Sequence, residues 1–418
     1  MIRIVRKAIF FLSALSAISL HAGAGLDLTV WALADGNAFR NYETLGDRIL
    51  QPNLVLYYNQ LINNFTFQIY YSGSGAVFEK YPQRRFLYQT IGMKGGCASE
   101  EARFSLNWGG EFDFRTNEAA YAYYEYNQKS AYANLRAGWT ASAATFAGLS
   151  AVVRTYNLLS QFDFDELSGF VRQNVYLPTR TTLIGSVTIG RKRFAETVRS
   201  DAIEAVEDMT DPEKTRGGNG RNGNGQGKGN NGKRGSVVSY PDPAAHVRSV
   251  YVSMEGRTVT RVLVTLRAAQ SVTRTTGIAA EIGRNRSISG RGRYISYQDG
   301  GYEEDDLLFD DPYNYDSDAL LIELTQILPF SIQLKAGYQT EDKRYFYPAL
   351  DMEGGLIADN RSDRKHSVRL QFSRAFPGWI RFRSLRLLLA CTGYWNRSND
   401  PFYTYSGYTA LLGWQIQL

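Results

Sequence analysis

Two cysteines, three histidines and eleven prolines are few for a chain of 418 residues. Two cysteines cannot staple a disulfide-built secreted scaffold or furnish a Cys-rich metal site. Three histidines argue against a His-rich metal centre, and no cofactor is expected. The excess of 47 Lys+Arg over 41 Asp+Glu is too small to point to nucleic acid. After the first 24 residues there is also no uncharged apolar run of the roughly 17–25 residues a transmembrane helix needs. Aromatic residues, by contrast, are plentiful at 13%, with 28 tyrosines. Hydrophobic residues at 44% and charged residues at 21% describe a folded protein, not a disordered polymer.

The first 24 residues read as a secretory signal peptide. Arg3, Arg6 and Lys7 form a positive start, residues 8–20 are apolar, and Ala22, Gly23 and Ala24 supply the small residues of a cleavage site. The apolar run is too short for a membrane anchor, and no cysteine follows it to carry a lipid. The remainder, residues 25–418, is expected to be one exported domain. If it spans a membrane, it must do so with strands.

That remainder is a long series of segments with period-two alternation, the spacing that sends successive side chains to opposite faces of a strand. At the C-terminal end Tyr408, Ala410, Leu412, Trp414, Ile416 and Leu418 share one face. Phe65, Phe67, Ile69 and Tyr71 alternate with Thr66 and Gln68, and Phe104, Leu106 and Trp108 with Arg103, Ser105 and Asn107. Leu334, Ala336 and Tyr338 alternate with Gln333, Lys335 and Gln339, and Val368, Leu370 and Phe372 with Arg369, Gln371 and Ser373. Helical signals are weak, the best being residues 193–209. About sixteen strand segments result, near 26–34, 53–61, 65–73, 84–95, 102–114, 130–139, 147–157, 167–178, 181–194, 259–268, 275–288, 317–328, 331–342, 364–376, 385–396 and 405–418. Short connections (62–64, 97–101, 179–180, 269–274 and 329–330) alternate with long ones (35–52, 115–129, 192–258, 290–316 and 343–363). Because hydrocarbon offers no hydrogen-bonding partners, a strand-built membrane protein must close on itself. The expected fold is all-β: an antiparallel transmembrane barrel of about sixteen strands, with short periplasmic turns and long extracellular loops. Trp31, Tyr57, Tyr58, Tyr70, Tyr71, Trp108, Trp139, Tyr156, Trp379, Trp395, Tyr405 and Trp414 lie near strand ends and are expected to form interfacial girdles.

With its signal peptide, repeated hairpins and terminal strand, the chain resembles bacterial outer-membrane β-barrel proteins as a class. The last strand, from Tyr408 to Leu418, looks like the signal read by the barrel-assembly machinery, although that signal usually ends in Phe or Trp and this chain ends in Leu418. The resemblance implies residence in the bacterial outer membrane. Outer-membrane lipid and lipopolysaccharide, and the assembly machinery during biogenesis, would be its partners. It does not imply a substrate.

Three regions are candidates for function. Residues 215–235 hold nine Gly and five Asn, with Arg216, Arg221, Lys228, Lys233 and Arg234 and no acidic residue. They lie in a Gly/Asn-rich insertion at about 210–240 that is expected to be a disordered, cationic surface loop able to meet polyanions. Acidic residues gather at Asp299, Glu303, Glu304, Asp305, Asp306, Asp310 and Asp311. Such a cluster is a solvated loop, a Ca²⁺ site without the EF-hand spacing, or a partner for the cationic tract across the barrel mouth. The face opposite the apolar stripe carries Arg103, Arg136, Arg261, Arg267, Glu323, Lys335 and Arg369 as pore-lining candidates. An Arg-rich lumen would favour anions, whereas the same arginines paired with carboxylates would plug it.

Catalytic residues are not apparent. His21 leaves with the signal peptide, His366 shares parity with Val368 and Leu370, and His246 sits in a long loop near two prolines. Cys97 and Cys391 are expected to be too far apart to pair. The leading expectation is a channel that passes small hydrophilic solutes by diffusion, with charged loops at its mouth. The alternative is a non-conducting barrel whose loops bind polyanions or mediate adhesion.

Overall fold

The computed structural model describes residues 23–99, 103–195, 251–253, 258–296, 308, 310–352, 355–378 and 383–418. In chain order its strands are β1 (Ala24–Asp35), β2 (Asp47–Ile62), β3 (Phe65–Phe78), β4 (Phe86–Ala98), β5 (Phe104–Asn117), β6 (Tyr126–Thr140), β7 (Ala143–Tyr156), β8 (Phe164–Tyr176) and β9 (Thr181–Phe194). They continue as β10 (Tyr251–Ser253), β11 (Thr258–Ser271), β12 (Thr276–Ser289), β13 (Tyr294–Ser296), β14 (Tyr315–Leu328), β15 (Ile332–Leu350), β16 (Leu356–Pro377), β17 (Ser384–Ser398) and β18 (Tyr405–Gln417). Among the described residues sixteen of these strands close into one antiparallel barrel, while β10 and β13 form a separate two-stranded ribbon. The closing seam joins β1 to β18 from Asp27↔Gln417 to Asp35↔Thr409.

Each of the sixteen alternating segments overlaps one barrel strand. The helix expected over 193–209 is not supported at its start: Arg193 and Phe194 end β9, the Ala195 amide donates to the Asp163 carbonyl, and 196–209 lie outside the described residues. The loop expected over 343–363 is largely strand, because β15 runs on to Leu350 and β16 resumes at Leu356. The alternation continues there, with Tyr345 and Tyr347 buried on one face. Residues 63–64, 141–142, 177–180, 272–275 and 329–331 make tight turns at one end of the barrel. Asn63 takes a left-handed φ of 53°, which suits a two-residue hairpin turn. The other end carries longer connections, from the short helical turn Ala119–Tyr124 to the 195–257 segment.

The wall has two faces. Outward side chains are apolar and open: Ile91, Leu149, Leu167, Val171, Ile189, Leu266, Ile282 and Leu389 are all at least half exposed. In water such a surface would be an aggregation hazard; in hydrocarbon it is the required one. No helix among the described residues is long and apolar enough to cross a membrane. Leu149, 64% exposed and midway along β7, tests the assignment. Leu149→Arg should cost about 2–4 kcal/mol in refolding titrations into phospholipid vesicles. Arginine at the neighbouring, inward Ser150 should cost much less, and equal costs would deny that the two faces differ.

The aromatic girdle needs correction. Tyr58, Tyr71, Trp108, Trp139, Trp395 and Trp414 do face outward, but Trp31, Tyr57, Tyr70, Tyr156 and Tyr405 face the interior. The Tyr70 hydroxyl bonds Glu111, and the Trp31 ring lies over Gly413 of the neighbouring strand, which has no Cβ to obstruct it. Trp379 lies outside the described residues. Cys97 is in β4, not in a turn, and both Cys97 and Cys391 are free and exposed.

Candidate functional site

The inward faces of the strands form a polar lumen. Toward the short-turn end, Arg267 of β11 bonds Glu281 of β12 at 3.2 Å and approaches Glu323 of β14 at 3.8 Å. Lys335 of β15 reaches the same Glu323 at 3.6 Å. These side chains keep 26–38% of their surface accessible, so the pairs are wet, not buried. Arg369 of β16 is exposed and bonds Gln371 at 2.8 Å, with no carboxylate in that contact.

Toward the long-loop end the interior fills with rings. Ala119–Tyr124 turns Tyr121, Tyr123 and Tyr124 onto Tyr126, Tyr156, Leu159, Phe162 and Leu308. Phe39, Phe78, Tyr81 and Phe86 form a second group, and Tyr294, Tyr315, Tyr345 and Tyr347 a third. Cations lie against these rings: Arg84 is 4.2 Å from the Phe39 ring centre, Arg154 3.9 Å from Tyr126 and Lys192 3.7 Å from Phe164. Arg361 lies 3.3 Å from Tyr403. A desolvated cation over an aromatic face is stabilised by about 2 kcal/mol, so this collar is held by more than apolar area.

The segment around Asp310–Tyr315 folds into the collar. Asp310 accepts from Lys343 at 2.6 Å, from Lys365 at 2.7 Å and from the Tyr345 hydroxyl at 2.5 Å. Asp311 accepts from Lys192 at 2.6 Å, and both side chains of that pair are almost wholly buried. The Tyr313 hydroxyl, packed over Gly190 of β9, donates to Glu166 of the neighbouring β8 at 2.8 Å. Burial alone would raise the Asp310 carboxyl, but the charges and hydrogen bonds of Lys343 and Lys365 outweigh it and hold the group well below the usual carboxylate range.

Among the residues expected to line a pore, Arg136, Arg261, Arg267, Glu323, Lys335 and Arg369 point inward. Arg136 lies opposite Phe146, and Arg261 is capped by the Tyr313 ring at 4.6 Å. Arg103 is in the turn before β5, where its carbonyl accepts from the Gly138 amide at 2.7 Å. Within the acidic group, Asp299, Glu303, Glu304, Asp305 and Asp306 lie outside the described residues, as does the tract 215–235. Asp310 and Asp311 are not solvated: they pair with lysines of the wall. Among the described residues no group of three or more His, Cys, Asp or Glu side chains is placed to hold a metal ion. His366 is on the outer face, stacked 5.3 Å from Trp395 and bonded to the Tyr338 hydroxyl at 2.9 Å; His246 is outside the described residues. Sequence reasoning missed Glu166, Lys192, Tyr313, Lys343 and Lys365. The parity of Lys192, Lys343 and Lys365 with inward neighbours was visible, but nothing local says that a loop 33–119 residues away in sequence supplies their carboxylates.

No protein-family model and no curated protein matches the chain. Solved structures do match in shape. Pseudomonas aeruginosa OpdL covers 95% of this chain and 98% of its own at 9% identity and a TM-score of 0.49. OpdK of the same organism, in a structure with vanillate, covers 96% and 100% at 8% identity and 0.48. A bacterial polysaccharide outer-membrane secretin covers 96% and 99% at 9% identity and 0.44. At such identities the likeness is one of barrel architecture, and no solute comes with it. A closed wall with an even number of strands, apolar outside and polar inside, is the architecture of a bacterial outer-membrane barrel, and this chain has it.

Proposed function

We propose that the protein is an outer-membrane channel for small hydrophilic solutes, made after removal of residues 1–24 as an export signal. The observation that carries this reading is the wet charged lumen. Arg267, Glu323, Lys335 and Arg369 face an interior that retains solvent access while the other side of the same strands is apolar. A sixteen-stranded wall is wide enough to hold an aqueous passage. The folded-in segment around Asp310–Tyr315 narrows its mouth, so the passage is selective by size as well as by charge. Arg369 and the cations shared by Glu323 would line the path and tilt it toward anions.

In planar bilayers the purified protein should give conductance steps of uniform size. Silence at high protein concentration, with the barrel shown to be folded by its heat-modifiable gel mobility, would favour a display scaffold and reject the channel.

A further inference from the structure

The outer surface of β15, β16 and β17 changes character at one level. From the Phe376↔Leu385 rung to the His366↔Trp395 rung, outward residues on β16 and β17 are mainly apolar or aromatic. The intervening ten residues, at about 3.4 Å each and a tilt near 40°, span roughly 26 Å, the height of a lipid-facing belt. Tyr338, His366 and Trp395 stack at its upper edge, toward the long loops. One rung higher stand Arg364 and Arg397, directly opposite each other, with Arg344 a further rung up on β15. All three arginines are exposed.

Arg364↔Arg397 is a like-charge cross-strand pair, which by itself destabilises a sheet. Asp342 answers only one of the three cations, bonding Arg364 at 2.7 Å. Elsewhere at this end Arg193 pairs with Asp165, and Arg284 and Arg286 share Asp318, whereas the exposed Arg191 stands singly on β9 with no second arginine opposite it. Arg344, Arg364 and Arg397 also border one groove of about 480 Å³, whose other charged neighbours are Asp342, bonded to Arg364, and Lys343 and Asp363, which are committed to Asp310 and Arg361. The arrangement has an excess of planar donors suited to phosphate. It lies where the belt gives way to headgroups, with an aromatic step below it.

We propose that this groove binds the phosphate of a phosphorylated glycolipid headgroup in the outer leaflet around the barrel. The headgroup supplies the negative charge that the Arg364↔Arg397 rung lacks and seats its sugar or acyl portion against Trp395 and Tyr338. This inference rests on the barrel's place in the outer membrane and is independent of conduction.

The test is binding of purified lipopolysaccharide to the detergent-solubilised full chain, followed by native mass spectrometry. Its probes are the phosphorylated lipid, the enzymatically dephosphorylated lipid and inorganic phosphate. The double variant Arg364→Gln/Arg397→Gln should bind the phosphorylated lipid about thirtyfold less tightly, at roughly tenfold per 1.4 kcal/mol and about 1 kcal/mol per arginine. The single variant Arg397→Gln removes an exposed side chain and should lose about fivefold on the same scale. Arg284→Gln, whose partner is Asp318, should lose much less. Equal binding by the wild type and both groove variants, or of phosphorylated and dephosphorylated lipid, overturns the proposal. So does displacement of the lipid by inorganic phosphate at matching concentration, which would mark a free-anion site. Failure of the barrel to insert into vesicles would instead strike at the membrane reading itself.

Discussion

Asp310→Asn should raise the single-channel conductance of the barrel at least twofold and expose the segment around residues 308–314 to protease. In the native chain one carboxylate receives two ammonium groups and a phenol. Its removal leaves Lys343, only 5% exposed, without its 2.6 Å ion pair. Breaking a buried pair from one side costs about 3–5 kcal/mol. The lower end applies here, since Lys365 keeps 30% of its surface in water. That loosens a short segment whose other anchors are Asp311–Lys192, the Tyr313–Glu166 bond, and the hydrogen bonds of Asn285 to the Pro312 carbonyl and of Asn314 to the Arg293 carbonyl. The sign of the pH dependence follows from the depressed carboxyl. Its stabilisation is complete above the ordinary carboxylate range and is lost only as pH falls through the lowered value. The wild-type conductance should therefore be steady down to about pH 4 and rise only below that. High salt should do little, because screening reaches exposed charges more than buried ones. An Asp310→Asn channel with native conductance and native protease resistance would show that this segment does not limit the mouth.

Glu323→Gln and Arg369→Glu should move ion selectivity in opposite directions. Glu323 is shared by Arg267 and Lys335, while Arg267 also has Glu281. Removing Glu323 leaves Lys335 unopposed beside an already uncompensated Arg369. A unit charge near the path contributes about 1 kcal/mol at ~4 Å in a water-like medium, roughly a fivefold change in the anion-to-cation permeability ratio. Arg369→Glu changes the lumen by two charge units and should reverse the preference. Both are read as reversal potentials in a salt gradient kept near 0.1 M, where the screening length is about 10 Å. Unchanged reversal potentials in both variants would mean that ions do not pass these residues.

The wall was legible because lipid and water sit on opposite sides of every strand, and period-two alternation records both. Val368, Leu370 and Phe372 against Arg369, Gln371 and Ser373 is enough to orient β16, and the structure orients it that way. The aromatic girdle was misread by taking nearness to a strand end as sufficient. Tyr70 shares parity with Thr66 and Gln68, and that local signal already placed it on the polar face. The collar was not legible. Its Asp310–Lys365 and Asp311–Lys192 contacts join residues 55 and 119 positions apart, and no periodicity encodes where a loop lands. The extension of β15 to Leu350 was hidden for a related reason: its inward Tyr345 and Tyr347 are buried by other collar residues, not by lipid, so no hydrophobic stripe marks it.

The connection between β9 and β11 has a consequence for how the molecule is made. These strands are hydrogen-bonded neighbours from Thr258↔Arg193 to Gln270↔Thr181, yet residues 195–257 separate them in the chain. With the tight turns on the periplasmic side, a connection of that length must be delivered across the bilayer, and hydrocarbon offers a passing chain no hydrogen-bonding partners. Translocation of the stretch must therefore finish before the cylinder seals around a narrow collar, which puts the β1–β18 closure late in biogenesis.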